Sequence, residues 1–288
     1  MIRNLSTAVA MSTLVACGPA ASEGEAGAPA AAAAKPVAEL SRLDCGTVTV
    51  SDLSVFSTAG NYKGVTKTLT SSCYLIRHGE DLMLWDTGLS GASAGKGPQA
   101  DGVFTMELER RLVDQLAAIG IAPGDIDIVG ISHFHGDHTG QLADFHEARL
   151  LTGKGDWDAI TAANPDPRLN VAPYSHWAKG GGAVQPVTGD LDVFGDGSVV
   201  MLDLAGHTPG HMGLKLQTGG GTVLLSGDVT HFRENYANDG MPTWNTDKEA
   251  SLAAIRRFKQ IARDSGATVV IQHEPGDIAK VPAAAASK

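Results

Sequence analysis

Residues 132–140 read Ser132-His133-Phe134-His135-Gly136-Asp137-His138-Thr139-Gly140, with three histidines and an aspartate inside six positions. Imidazole and carboxylate are the side chains that bind Zn²⁺ and other first-row divalent ions. Gly136 and Gly140 let the backbone turn sharply enough for neighbouring side chains to converge. Four ligands from so short a loop do not all reach one ion easily, so the spacing points to two ions that share it. Directly upstream, Ile126 to Ser132 is a short apolar run that reads as a strand, which puts the cluster at a strand's carboxyl end.

The same setting recurs along the chain. His207 follows Val199–Gly206, Asp228 follows Val223–Gly227, His273 follows Val269–Gln272, and Asp86 follows Leu82–Trp85. Each time an apolar strand ends on a polar residue. Loops at the carboxyl ends of strands gather along one sheet edge, where sheet folds assemble their sites. Taken singly, a residue such as His273 reads rather as a surface turn residue. Taken with the 133–138 loop, they point to one metal centre.

Periodicity supplies the frame. Alternation predicts strands over 45–56, 68–77 and 81–86, then 198–204, 212–217, 222–226 and 267–272. Helical spacing of Leu108, Leu112, Leu116 and Ile119 predicts a helix over 104–119. A second helix is predicted over 247–265, with Leu252, Ile255, Phe258 and Ala262 on its apolar side, a capping box at Thr246–Glu249 and Gly266 at its end. Each half is thus a run of hairpin-linked strands with amphipathic helices. The expected fold is α/β: two mixed sheets packed face to face with helices outside, a four-layer αββα sandwich.

The 288 residues are 43% hydrophobic and 19% charged, which excludes wholesale disorder and a polytopic membrane protein. Net charge is −10, and the densest basic stretch is Arg256-Arg257 followed by Lys259. Nucleic acid and anionic lipid surfaces are therefore excluded as partners, since both need concentrated positive charge. Residues 1–16 read as an export signal. It ends in Leu14-Val15-Ala16-Cys17-Gly18, which resembles a bacterial lipobox; a generic signal peptide with an incidental cysteine is the alternative. On the first reading Cys17 is lipidated, this anchor is the sole membrane contact, and the protein sits at the periplasmic face of a bacterial membrane. Loss of residues 1–16 removes Arg3 and no acid, bringing the charge to −11. Residues 17–39, rich in Ala, Gly and Pro, read as a flexible tether, and 40–288 as the domain, with Val281–Lys288 a frayed end. Cys45 and Cys73 fall on predicted neighbouring strands, so in an oxidising compartment they read as a disulfide, with two buried thiols as the alternative.

The motifs Asp86-Thr87-Gly88, His133–His138, Gly206-His207-Thr208-Pro209-Gly210-His211, Gly227-Asp228 and His273 resemble those of the metallo-β-lactamase superfamily over residues 45–282. Within it, Ser72–Arg77, Leu84–Gly88 and Thr246–Gln272 are most similar to N-acyl-homoserine lactonases. The resemblance implies that His133, His135 and His207 bind one ion, that Asp137, His138 and His273 bind the other, and that Asp228 bridges them, with Zn²⁺ the default metal. It implies a small-molecule lactone as substrate, the ring being opened by a hydroxide shared between the ions, as in quorum quenching. Asp137 then carries a proton to the leaving oxygen, while Asp86 and His211 support the ligands from behind.

His231 departs from the pattern, standing where many such lactonases have tyrosine; its imidazole would donate to the carbonyl under attack. Phosphotriester hydrolysis, β-lactam hydrolysis and a non-enzymatic metal-binding lipoprotein are the alternatives. Asp228 stands where common zinc β-lactamases have cysteine. His135 stands where oxygen-reducing di-iron relatives usually have glutamate, which argues for hydrolysis. Phe104, Phe232, Tyr236 and Trp244 are candidates to line an acyl-chain groove, or to pack locally. His78, His146 and His176 read as surface or structural residues.

Overall fold

Residues 37–286 of the computed structural model, with Ala8 and Ala10, are described below. The rest of the export signal, Cys17 and the tether up to residue 36 lie outside the described residues. One sheet holds β1 (Glu39–Val50), β2 (Lys67–His78), β3 (Asp81–Trp85), β4 (Gln99–Asp101), β5 (Phe104–Glu107), β6 (Ile128–Ile131), β7 (Arg149–Gly153) and β8 (Val184–Val187), in the order β4-β5-β1-β2-β3-β6-β7-β8. The other holds β9 (Leu191–Asp192), β10 (Val199–Asp203), β11 (Met212–Thr218), β12 (Gly221–Leu225) and β13 (Thr268–Val270), in the order β13-β12-β11-β10-β9. Both are mixed: β3, β6, β7 and β8 run parallel, as do β12 and β13, and the other neighbours are antiparallel. The helices are α1 (Leu112–Ala117), α2 (Gly136–Thr139), α3 (Lys154–Thr161), α4 (Ser175–Ala178), α5 (Arg233–Asn238) and α6 (Lys248–Ser265).

Strand alternation divides the side chains between layers. Tyr74, Ile76, Met83 and Trp85 face inward onto Met201, Met212, Leu214, Leu216 and Leu225 of the second sheet. Their sequence neighbours Cys73, Leu75, Leu82 and Leu84 face out onto Leu112, Leu116, Ile160 and Trp177. Across the molecule Leu202, Leu204 and Leu224 pack on Ala254, Ile255, Phe258 and Ala262 of α6. These three apolar seams separate the four layers.

The boundaries differ from the periodic reading in four places. The first strand spans 39–50 rather than 45–56: a bulge between Asp44 and Thr47 breaks its alternation, and Leu53–Phe56 is a helical turn whose start is capped by Asp52. Residues 104–107 are strand, paired with β1 (Val50 opposite Phe104), and the helix begins only at Leu112. Spacing of Leu108 with Leu112 and Leu116 concealed that break. At α6 the N-cap is Asp247, whose carboxylate accepts from the Ala250 N–H at 2.9 Å, rather than Thr246; Gly266 closes the helix with φ 60°. Neither end of the domain frays where expected: Ala38 is buried and donates its N–H to Gln217 O (2.8 Å), and Pro282–Ala284 bonds alongside Arg42.

Candidate metal centre and cavity

The 132–140 segment leaves β6 at the sheet edge, and its cluster meets the loops after β10, β12 and β13 there. His133, His135, His207 and Asp228 each offer a ligand atom in one group, and Asp137, His138 and His273 in a second; within each group these atoms lie within 4.8 Å of one another. His133 Nε2 is 2.9 Å and His207 Nε2 3.0 Å from His135 Nδ1. His138 Nε2 is 3.2 Å from His273 Nε2.

The far side of each ring fixes where its proton sits. His207 Nδ1–H donates to Asn245 Oδ1 (2.7 Å), His273 Nδ1–H to Thr70 O (2.7 Å) and His138 Nδ1–H to Asp86 Oδ2 (2.9 Å). The Nε2 lone pairs of these three rings therefore point into the centre. At His138 and His273 the two Nε2 atoms face each other across 3.2 Å, an arrangement that a shared cation satisfies. Asp228 completes the set. Its Oδ1 is 2.9 Å from His273 Nε2 and 3.2 Å from His138 Nε2, yet it accepts no hydrogen bond. Its Oδ2 is 3.4 Å from His207 Nε2 and 3.5 Å from His133 Nε2. An all-N/O donor set of this kind fits zinc and its first-row neighbours.

Electrostatics follow from burial and crowding. Burial and the neighbouring His138 imidazole hold His133 well below the ordinary histidine range. At His138 burial pulls the same way, but the carboxylates of Asp228, Asp137 and Asp86 outweigh it and raise the ring well above that range. Burial would raise Asp228, but His273, His231, His138 and His133 hold it well below the usual carboxylate value.

Behind the ligands stand residues of two kinds. Asp86 is left-handed (φ 59°), a conformation that costs a non-glycine residue free energy. It is held there by bonds from Ser132 N–H (2.7 Å), Ser132 Oγ–H (2.8 Å), His138 and Gln272 Nε2–H (2.7 Å). His211 donates from Nδ1 to Leu204 O and accepts the Asp228 N–H at Nε2 (2.8 Å), fixing the backbone of that aspartate. Just below, Cys45 and Cys73 form a disulfide between β1 and β2, with Cα atoms 5.8 Å apart. A Cβ on Gly88 would lie 2.3 Å from the Cys45 Cβ, so glycine is the residue that lets the Asp86–Gly88 loop rest on it.

Above the ligands opens a cavity of about 560 Å³. His135, Asp137, Asp228, His231 and His273 form its floor, and Phe56, Leu69, Leu89, Phe104, Met106 and Trp244 most of its wall. No lysine or arginine lines it among the described residues. Phe104 and Trp244 thus stand where the sequence reading put them. Phe232 and Tyr236 do not: Phe232 is fully buried between Phe56, Tyr62 and Lys67, and Tyr236 packs on Phe258 beneath Lys259. Both sit in or beside α5, which turns them off the cavity. Phe56 and Met106 escaped the reading because their segments were assigned to the wrong element. As strand residues, Phe104 and Met106 share a face.

His231 does not point freely into the cavity. Its Nε2 is 3.0 Å from Asp228 Oδ2, its ring stacks parallel to His273 at 5.7 Å, and its buried Nδ1 has no partner. Burial pushes it down to about 4, so the ring is neutral near pH 7, with Nε2 set against the carboxylate. His78 pairs with Asp196 (2.7 Å) and stacks on Phe194, and His146 packs beside His176; all three are remote from the centre.

Comparison with known proteins places this geometry. A model of the metallo-beta-lactamase superfamily matches residues 66–273. An N-acyl homoserine lactonase of a Bacillus species is 27% identical over 210 residues, 70% of this chain and 80% of that protein. A solved N-acyl homoserine lactone hydrolase, with the product N-hexanoyl-L-homoserine bound at its catalytic metal centre, superposes with a TM-score of 0.73 at 23% identity, over 86% of this chain and 98% of that one. AidC, a dizinc quorum-quenching lactonase, superposes with a TM-score of 0.64 at 20% identity, over 84% and 90%. At these identities the superpositions speak to the fold.

Proposed function

Because the chain belongs to the metallo-beta-lactamase superfamily, we propose that it is a hydrolase that opens uncharged lactone rings, N-acyl homoserine lactones first among them, on a pair of divalent ions. The observation that carries this reading is Asp228. Its two carboxylate oxygens answer to two separate sets of imidazole nitrogens at the floor of an apolar cavity. Bound there, two ions supply an acidified water at neutral pH and positive charge against a developing oxyanion.

The chain's own residues do the rest. Asp137, with its side chain 28% exposed and its Oδ2 3.6 Å from His273 Nε2, faces both ligands and cavity, and so can carry a proton to the leaving alkoxide. His231 sets Nε2 3.0 Å from Asp228 Oδ2 and lines the cavity floor, where its N–H can donate to a carbonyl held above the metal pair. The apolar wall takes the acyl chain and excludes water. The lack of a cation on that wall favours neutral substrates over carboxylate-bearing β-lactams. It favours a phosphotriester equally, which is the second reading.

Hydrolysis of an acyl homoserine lactone, a phosphotriester and a β-lactam, each with metal-loaded and chelator-treated protein, tests the proposal. Metal-dependent turnover of the lactone in preference to the others is expected, and no lactone turnover by the loaded protein overturns it. Export and lipidation at Cys17 remain part of the proposal. The Cys45–Cys73 disulfide, which suits an oxidising compartment, supports export. A lipid-sized mass increment lost in Cys17→Ser checks the anchor.

A further inference from the structure

One buried carboxylate near the centre is neither a ligand nor on the cavity wall. Asp156, in the first turn of α3, is fully buried and has no cationic partner among the described residues. Its Oδ1 accepts the Gly210 N–H at 2.6 Å, and its Oδ2 accepts the Thr208 Oγ1–H at 2.9 Å and the Phe134 N–H at 3.0 Å. Phe134 lies between His133 and His135, and Thr208 follows His207. The three bonds therefore join the two loops that hold the first group of imidazoles, one loop leaving each sheet.

The approach is built into the backbone. A Cβ on Gly153 would stand 1.8 Å from Gly210 O, one on Gly155 2.3 Å from Pro209 O, and one on Gly210 2.4 Å from Asp156 N. Three glycines thus clear the space that lets α3 and the 207–211 loop touch. A buried carboxylate without a counter-charge is costly to keep, and here its hydrogen bonds are spent on loop position alone. None of them reaches Asp137, His138 or His273.

We propose that Asp156 is a positioning residue for the ion held by His133, His135 and His207, and for that ion alone. The inference rests on the metal-pair reading but is independent of the substrate. Its test is metal retention. Zinc-loaded wild type and Asp156→Asn, purified as full chains, are dialysed against graded chelator and assayed for bound zinc and for thermal unfolding. Wild type is expected to hold two ions. Asp156→Asn should lose one of them at about 10- to 100-fold lower chelator strength, the range for residues that orient metal ligands, and keep the other as wild type does. Adding His273→Ala to Asp156→Asn should leave no retained ion, and adding His207→Ala should leave one. Thr208→Val, which removes a single bond of the three, should shift the same ion by less and keeps the test open if the asparagine variant misfolds. Two ions retained by Asp156→Asn with the wild-type chelator dependence, or both lost together, overturns the assignment. Fewer than two ions in wild type overturns the metal-pair reading first.

Discussion

Asp228 and His231 stand three residues apart and share one contact, Nε2 to Oδ2 at 3.0 Å. A phenyl ring at 231 would keep the packing on Phe56, whose ring centroid is 4.8 Å away, and lose the donor. His231→Phe is therefore expected to lower kcat by roughly a hundred- to a thousandfold, the usual cost of one preorganised donor, with zinc content unchanged. Steady-state kinetics beside metal analysis checks it, and a rate within threefold of wild type would remove the donor role. At this scale the clustering of ligand-type side chains was legible because they stood at strand ends beside glycines. The supporting groups were not. Thr70 serves through a backbone carbonyl, which no side-chain pattern reveals. Asn245, Gln272 and Asp156 act across loops 38, 186 and 22–54 residues distant, where spacing carries no signal.

Elements were legible where one periodicity ran uninterrupted. The 18-residue α6 was read almost to its ends, because its apolar stripe repeats over five turns. The cap was misplaced by one residue, since Thr246 and Asp247 both suit the position; only Asp247 reaches the Ala250 N–H. Asp247→Ala is expected to cost about 1 kcal/mol in chemical denaturation and Thr246→Ala clearly less. β4, β7, β8, β9, α2, α3, α4 and α5 were missed: short segments such as these, two of them parallel strands, owe their form to neighbours rather than to their own pattern.

The turn after β9 offers a pH test. Asp196 accepts from Ser198 Oγ–H and N–H and from His78, and the serine bonds lead in pulling it down to about 2. A depressed folded value means that the carboxylate's contribution is complete above the unfolded value near 4 and is lost as pH falls through about 2. Ser198→Ala should move the NMR titration midpoint of this carboxyl upward; an unchanged midpoint would discount the serine.

At the scale of the molecule, the four layers followed from counting strands and amphipathic helices, whereas strand order did not, because pairing between distant strands leaves no local trace. The Cys45–Cys73 bond closes a 28-residue separation. In the loop-entropy treatment that contributes about 3–4 kcal/mol, so a double serine variant should unfold at visibly lower denaturant, and an unshifted midpoint would count against it.

His133 and His135 leave one sheet; His207, Asp228 and His273 leave the other. On the proposed metal-pair reading, ions held between them would be fasteners across the interface, and fasteners of this kind obey mass action: each tenfold rise in the free metal above saturation, zinc in the first test, would add about 1.4 kcal/mol per ion to the folded state. The melting temperature should therefore climb with buffered zinc and fall with chelator, twice as steeply as for a one-ion protein. On that reading, in surroundings where the metal is contested, how long this fold survives would be set by supply as much as by sequence.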